Sequence, residues 1–87
     1  MADTIRLEEN LDLQAAGRLA ERLGGAPCDV TLDASEVVHV GGLAAQLILA
    51  ARGSAGPSGR SLRVAPQSRA FADGMRRLGV DPATLEE

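Results

Sequence analysis

Between residues 29 and 65 the spacing of apolar residues changes twice, and that change restricts the fold more than any other feature of the chain. In "CDVTLDAS" (28–35) Val30 and Leu32 alternate with Thr31, the two-residue period of a strand. In "GLAAQLILAAR" (42–52) the apolar residues recur at helical spacing. In "SLRVA" (61–65) alternation returns, with Leu62 and Val64 on one side. Strand, helix and strand in that order form a βαβ unit, which requires a parallel strand pair and a right-handed crossover.

The flanking segments extend the same plan. "TIRL" (4–7) reads as a short strand with Ile5 and Leu7 inward. The segment after it reads as a helix capped by Asp12, with Ala16, Leu19, Ala20 and Leu23 on its core face and Gly24-Gly25 as its stop. The last helix starts at Ser68, places Phe71, Met75 and Leu78 at i, i+4 and i+7, and ends at Gly79. In the central helix Leu43, Leu47, Ala50 and Ala51 are expected to face the core, with Ala44 and Ile48 widening that face. Ala45, Gln46 and Leu49 fall on the opposite side. Residues 53–60, "GSAGPSGR", read as a flexible loop.

The expected fold is therefore α/β: a single small domain over residues 1–87, with a mixed, mainly parallel sheet of three or four strands and about three helices, largely on one face. A chain of 87 residues buries only about 60% of its unfolded surface, so a second core is excluded. Its apolar residues are aliphatic, with one Phe and no Tyr or Trp.

Composition also removes function classes. A formal net charge of −3 and the lack of Tyr and Trp argue against nucleic-acid binding, which needs a basic face and stacking side chains. "MADTIRLEEN" has neither the basic start nor the apolar run of a secretory signal, and no apolar stretch approaches the ~20 residues of a membrane span. A cytoplasmic protein without membrane insertion is the expectation, and the lone Cys28 agrees with it.

The Gly41-Gly42 pair ahead of the central helix invites comparison with a phosphate-binding loop. Neither the GxGxxG nor the GxxxxGK[ST] spacing is present, and the chain has no Lys. What remains is a helix start without a side-chain cap, weakly attractive to anions, and glycines that permit tight turning and close approach. His39 and Cys28 do not form a nucleophile–base pair, because an extended segment sets them near opposite ends of one strand. One His and one Cys cannot build a zinc site. Glu8-Glu9 and Glu86-Glu87 are adjacent solvated pairs. Among the serines, Ser68 reads as a helix cap and Ser35 as a turn former. No catalytic pair is recognisable, so the expectation is a protein that is not an enzyme and needs no cofactor or metal.

The run from Val30 to Val80, "VTLDASEVVHVGGLAAQLILAARGSAGPSGRSLRVAPQSRAFADGMRRLGV", resembles the STAS domain, the module of anti-sigma factor antagonists and related bacterial regulators. In that family a strand ending in D-x-S-x-V leads through an apolar residue to D-[ST]-[SAT]-G-L at the start of a helix. Asp33, Ser35, Val37 and Val40 match the lead-in. The match then breaks: Gly41 stands at the acidic position, and Gly42 and Leu43 stand where the phosphorylated Ser or Thr is found. A phosphoserine adds about −1.5 to −2 charge, so this chain would lack the usual means of releasing its partner.

"LDASEVVHVGGLAAQLILAA" is most similar to the small STAS proteins of bacterial chemotaxis operons, which share a glycine at this point, Leu43, Gln46 and Ala50-Ala51. That resemblance implies a binding module that docks on a histidine kinase or a related ATPase-fold kinase and modulates phosphorelay signalling. The expected contact surface is His39, Gly41, Gly42, Ala45, Gln46 and Leu49. Two other roles fit the same resemblance: a STAS subunit of a lipid-transport ABC complex, capping its nucleotide-binding subunit, or an anti-sigma factor antagonist regulated at Ser35 or by expression alone.

Overall fold

The structure is a computed structural model that describes residues 3–24, 29–55 and 61–86. The elements run β1 (Asp3–Arg6), β2 (Asn10–Leu11), α1 (Leu13–Gly24), β3 (Val30–Ala34), β4 (His39–Val40), α2 (Gly42–Ala55), β5 (Leu62–Gln67), α3 (Arg69–Arg77) and α4 (Pro82–Leu85). The main sheet has the order β1-β3-β5, and both of its pairings are parallel. The expected βαβ unit is β3-α2-β5, and β1-α1-β3 repeats the same connection.

Register explains why the helices share one face. Ile5 pairs with Leu32 and Leu32 with Val64, so the inward side chains form a continuous row, and all three are buried. The adjacent row, Thr4, Thr31 and Arg63, points the other way. One face is apolar and covered while the other is polar, an arrangement more common in antiparallel sheets than in parallel ones. In β5 the register slips, since Leu32 pairs with Val64 but Ala34 with Gln67. The extra residue lies beside Pro66, which cannot donate to a ladder and is tolerated here because β5 is an edge strand.

Ile5 and Leu7 are buried as expected. Asp12 caps α1 by accepting the amide of Ala15 at 2.9 Å. The core face of α1 is Ala15, Ala16 and Leu19, with Leu23 half-buried, so Ala20, which was expected inward, is exposed. Arg18 forks onto Glu8 at 2.8 and 2.7 Å, tying the connection after β1 to α1. That bond, with the attraction of the guanidinium, holds the Glu8 carboxyl below its ordinary range and raises Arg18.

Three features exceed the sequence-based expectation. The first is a second parallel pair, β2 with β4, that joins Asn10 to His39 and Leu11 to Val40. The second is the length of α2, whose last residues, 53–55, were expected in the loop; residues 56–60 of that loop and Cys28 lie outside the described residues. The third is α4, a fourth helix. Asp81 caps it by accepting the Ala83 amide at 3.0 Å, Pro82 occupies its first turn, and Leu85 enters the core. The Gln67 side-chain amide pins it to β5, donating to the carbonyls of Val64 at 3.0 Å and Pro82 at 2.9 Å.

Candidate functional site

The candidate site is the path from the end of β3 into α2. At its start the Asp33 carboxylate accepts from the Ser35 hydroxyl at 2.6 Å and the Ser35 amide at 2.9 Å, closing a tight turn. The hydroxyl bond, followed by the amide bond, keeps the Asp33 carboxyl below its ordinary range. The turn at Ser35 and Glu36 ends β3, so His39 lies on a separate short strand and not at the far end of the one expected to follow Cys28. Val37 is buried and Val38 is 66% exposed.

The two glycines have different jobs. Gly41 donates its amide to the carbonyl of Leu11 at 2.9 Å, and a Cβ at this position would stand 2.8 Å from that same oxygen. Only a glycine lets the backbone come this close to β2. A Cβ on Gly42 would meet nothing within 4 Å. Among the described residues, positive φ occurs only at Gly79, so neither glycine is needed for a left-handed turn. The Gly41 carbonyl accepts the Ala45 amide at 3.1 Å, which puts Gly41 at the capping position of α2 with no side chain to serve as acceptor.

The orientation of α2 corrects the sequence reading. Its buried residues are Ala44, Ala45 and Ile48, at 0%, 3% and 0% exposure. Leu43, expected inward, is 51% exposed, Ala50 is exposed, and Leu47 and Ala51 are only half-buried. Ala45, expected at the contact surface, is in the core and cannot be presented to a partner without unfolding. The cause is steric: α1 and α2 pack on one another, and each brings two alanines to its buried face. Small residues allow close helix approach, whereas a Leu43–Leu47 face would hold the helices apart.

Gly42, Leu43, Gln46, Leu49 and Ala50 consequently form one exposed stripe along α2, with Leu49 at 40% exposure. Of the expected surface residues, Gly42, Gln46 and Leu49 fall on this stripe, Gly41 is half-buried beneath its start, and His39 is exposed on the strand leading to it. Leu43 and Ala50 are the additions. The signal that could have found them was the surplus of apolar residues in α2, too many for one buried face.

On its other side His39 opens onto a groove of about 550 Å³ between β4 and α3. Phe71 and Met75 of α3 are fully buried, but Leu78, expected beside them, is 46% exposed at the groove's end. Leu78 is the cap residue: the chain turns there, with Gly79 at φ 85°, and Gly79 and Val80 donate to the carbonyls of Arg76 and Met75 at 3.0 and 2.9 Å.

Between Asp33 and Gly53 the only hydroxyl is that of Ser35; positions 41–43 carry none. Among the described residues no group of His, Cys, Asp and Glu could hold a metal, and no helix is long and apolar enough to cross a membrane. A family model described as "Mlab, STAS domain" matches residues 1–86. No curated protein and no solved structure matches the chain.

Proposed function

The chain belongs to the STAS domain family, whose members serve as protein-interaction or regulatory modules, and from that premise we propose that it docks on a protein partner through α2, is not an enzyme, and has no phosphorylation switch at 41–43. The carrying observation is the apolar part of the α2 stripe, Leu43 at 51% and Leu49 at 40% exposure, on a helix that buries Ala44, Ala45 and Ile48 on its other side. Burying a leucine completely is worth about 1.5–3 kcal/mol, and a partner covering these two recovers part of that. Gln46 lies between them and can supply a directed hydrogen bond. Gly42 keeps the start of the helix open to close approach.

The partner in this reading is a histidine kinase or a related ATPase-fold kinase, in its most specific form the kinase of a chemotaxis system, and docking modulates phosphate flow to response regulators. A second reading, a subunit of a lipid-transport ATPase complex, uses the same helix. The missing hydroxyl at 41–43 favours it, because a permanently bound subunit needs no releasing charge.

The test is affinity capture from the native cell extract with the wild type and a Leu49→Arg variant. The reading expects a kinase with wild type and its loss with the variant, whereas recovery of a transport ATPase would select the second reading. Equal recovery of the same proteins by both baits would sink the α2 interface. Incubation with the purified kinase and ATP, followed by intact mass, is expected to leave the mass unchanged; a stoichiometric phosphoryl gain would show a switch elsewhere in the chain.

A further inference from the structure

The groove between β4 and α3 has a chemistry different from that of the α2 stripe. Its lining includes two exposed apolar side chains, Val38 at 66% and Leu78 at 46% exposure. Its shape is fixed at Gly74, where an added Cβ would lie 3.3 Å from the side chain of Val40, so α3 sits directly on β4. Its rim is basic. Arg69 and Arg77 both line it, with Asp73 between them, in a chain whose formal net charge is −3. The one acid of α3, Asp73, is engaged by Arg76 at 3.1 Å and only loosely by Arg69, at 3.9 Å. Among the described residues Arg77 makes no ion pair, and the Arg69 side chain is 96% exposed.

We propose that this groove is a second docking site, which takes an acidic peptide segment of a protein partner, with an apolar side chain seated on Val38 and Leu78 and carboxylates meeting Arg69 and Arg77. The dimensions agree. Eight helical positions separate the two arginines, about 12 Å at 1.5 Å per residue. An extended peptide covers that distance in about four residues at ~3.3 Å each. The two carboxylates therefore belong about four residues apart, with the apolar anchor between them. Charge complementarity selects this occupant: a neutral apolar segment leaves Arg77 without an ion pair and Arg69 with only its 3.9 Å contact to Asp73, and a nucleic acid meets a net negative chain without Tyr or Trp.

The experiment is selection from a phage-displayed library of random dodecapeptides on the immobilised full chain, followed by NMR titration of the labelled protein with a synthetic copy of the enriched sequence. Enriched peptides are expected to carry two Asp or Glu three to five residues apart around a Leu, Ile or Val. Saturable shifts are expected at residues 38–40 and 69–78. Arg69→Glu and Arg77→Glu are each expected to weaken binding about fivefold, the equivalent of about 1 kcal/mol for one exposed ion pair. Val38→Asp, which removes the anchor and adds a like charge, weakens it further. All three positions are exposed, and a thermal melt of each variant confirms that it folds. Leu49→Arg should bind the peptide as wild type does, so failure of the α2 interface and failure of the groove are separate results. No enrichment, enriched peptides without carboxylates, or binding unchanged by both arginine reversals would overturn the proposal. So would concentration-dependent shifts at the same residues without peptide, which would show the groove covered by a second copy of the chain.

Discussion

Helices α3 and α2 each follow a strand, but they are held in contrasting ways. Ser68 caps α3 twice over: its hydroxyl oxygen accepts the Phe71 amide at 3.0 Å while the hydroxyl itself donates to the Val37 carbonyl at 2.6 Å. Phe71 and Met75 are buried, and Gly79 closes the far end. Along the buried side of α3, patterning and capping agree. In α2 they disagree. The cap is a glycine, the apolar residues exceed one face, and two leucines are left in solvent. The comparison teaches that a segment built against its own local rules is a place to examine for a partner. The same contrast appears at finer scale between neighbours within α2.

Ile48 and Leu49 offer the strongest test. Ile48 is fully buried and Leu49 is 40% exposed. Ile48→Ala should cost about 2–5 kcal/mol, the range for truncating a buried aliphatic side chain, while Leu49→Ala should cost less than about 1 kcal/mol. Urea unfolding of both variants measures the difference. Equal costs would mean that Leu49 is part of the core and that the stripe does not exist.

The glycines come next in size. Gly41→Ala forces a methyl against a backbone oxygen at 2.8 Å, and a backbone atom cannot swing aside. The expected cost is about 1–3 kcal/mol, with the β2–β4 pairing disturbed first. Gly42→Ala meets open space at the first helical position, so it should stabilise by about 0.4–1 kcal/mol through the unfolded chain. Thermal melts of the pair should therefore move in opposite directions.

Ser68→Ala sharpens the α3 side. It removes the cap and leaves the Val37 carbonyl without its hydroxyl donor, for an expected loss of about 1–2 kcal/mol. Amide exchange should quicken first in the opening turn of α3. No corresponding substitution exists in α2, because Gly41 has no capping side chain to delete.

The same contrast decides what was legible in the sequence. The caps at Asp12 and Ser68 and the closure at Gly79 were readable because each rests on residues within a few positions of one another, and the βαβ core because each of its elements carries its own apolar period and their order then requires a parallel pair. The facing of α2 was not: with Leu43, Leu47, Ile48, Leu49 and five alanines among its residues, periodicity permits several orientations, and close packing against α1 selects the Ala44–Ala45 side. The β2–β4 pair is too short to leave a pattern, and it exists through long-range bonds, from the Val38 and His39 amides to the Glu9 carbonyl and from Gly41 to Leu11. Helix α4 did leave one, Asp81 followed by Pro82, a capping residue with proline in the first turn. The exposure of Leu78 follows from its place at the cap, where helical spacing no longer governs direction.

The smallest effect lies at the turn that ends β3, where the Asp33 carboxylate accepts from Ser35. The Asp33 carboxyl is held below its ordinary value chiefly by the Ser35 hydroxyl. A carboxyl depressed in the folded state contributes stability that is present above its unfolded value, about 3.9, and that is lost as pH falls through the folded value. Ser35→Ala removes the hydroxyl bond but keeps the amide bond, so the Asp33 midpoint should rise toward, without reaching, its unfolded value. The difference in stability between the two proteins should be constant near neutral pH and disappear in acid, once Asp33 is protonated in both. Carboxyl carbon titration by NMR measures the midpoint, and melts at stepped pH measure the linkage. An unchanged midpoint in Ser35→Ala would assign the shift to the amide and to Arg6 instead.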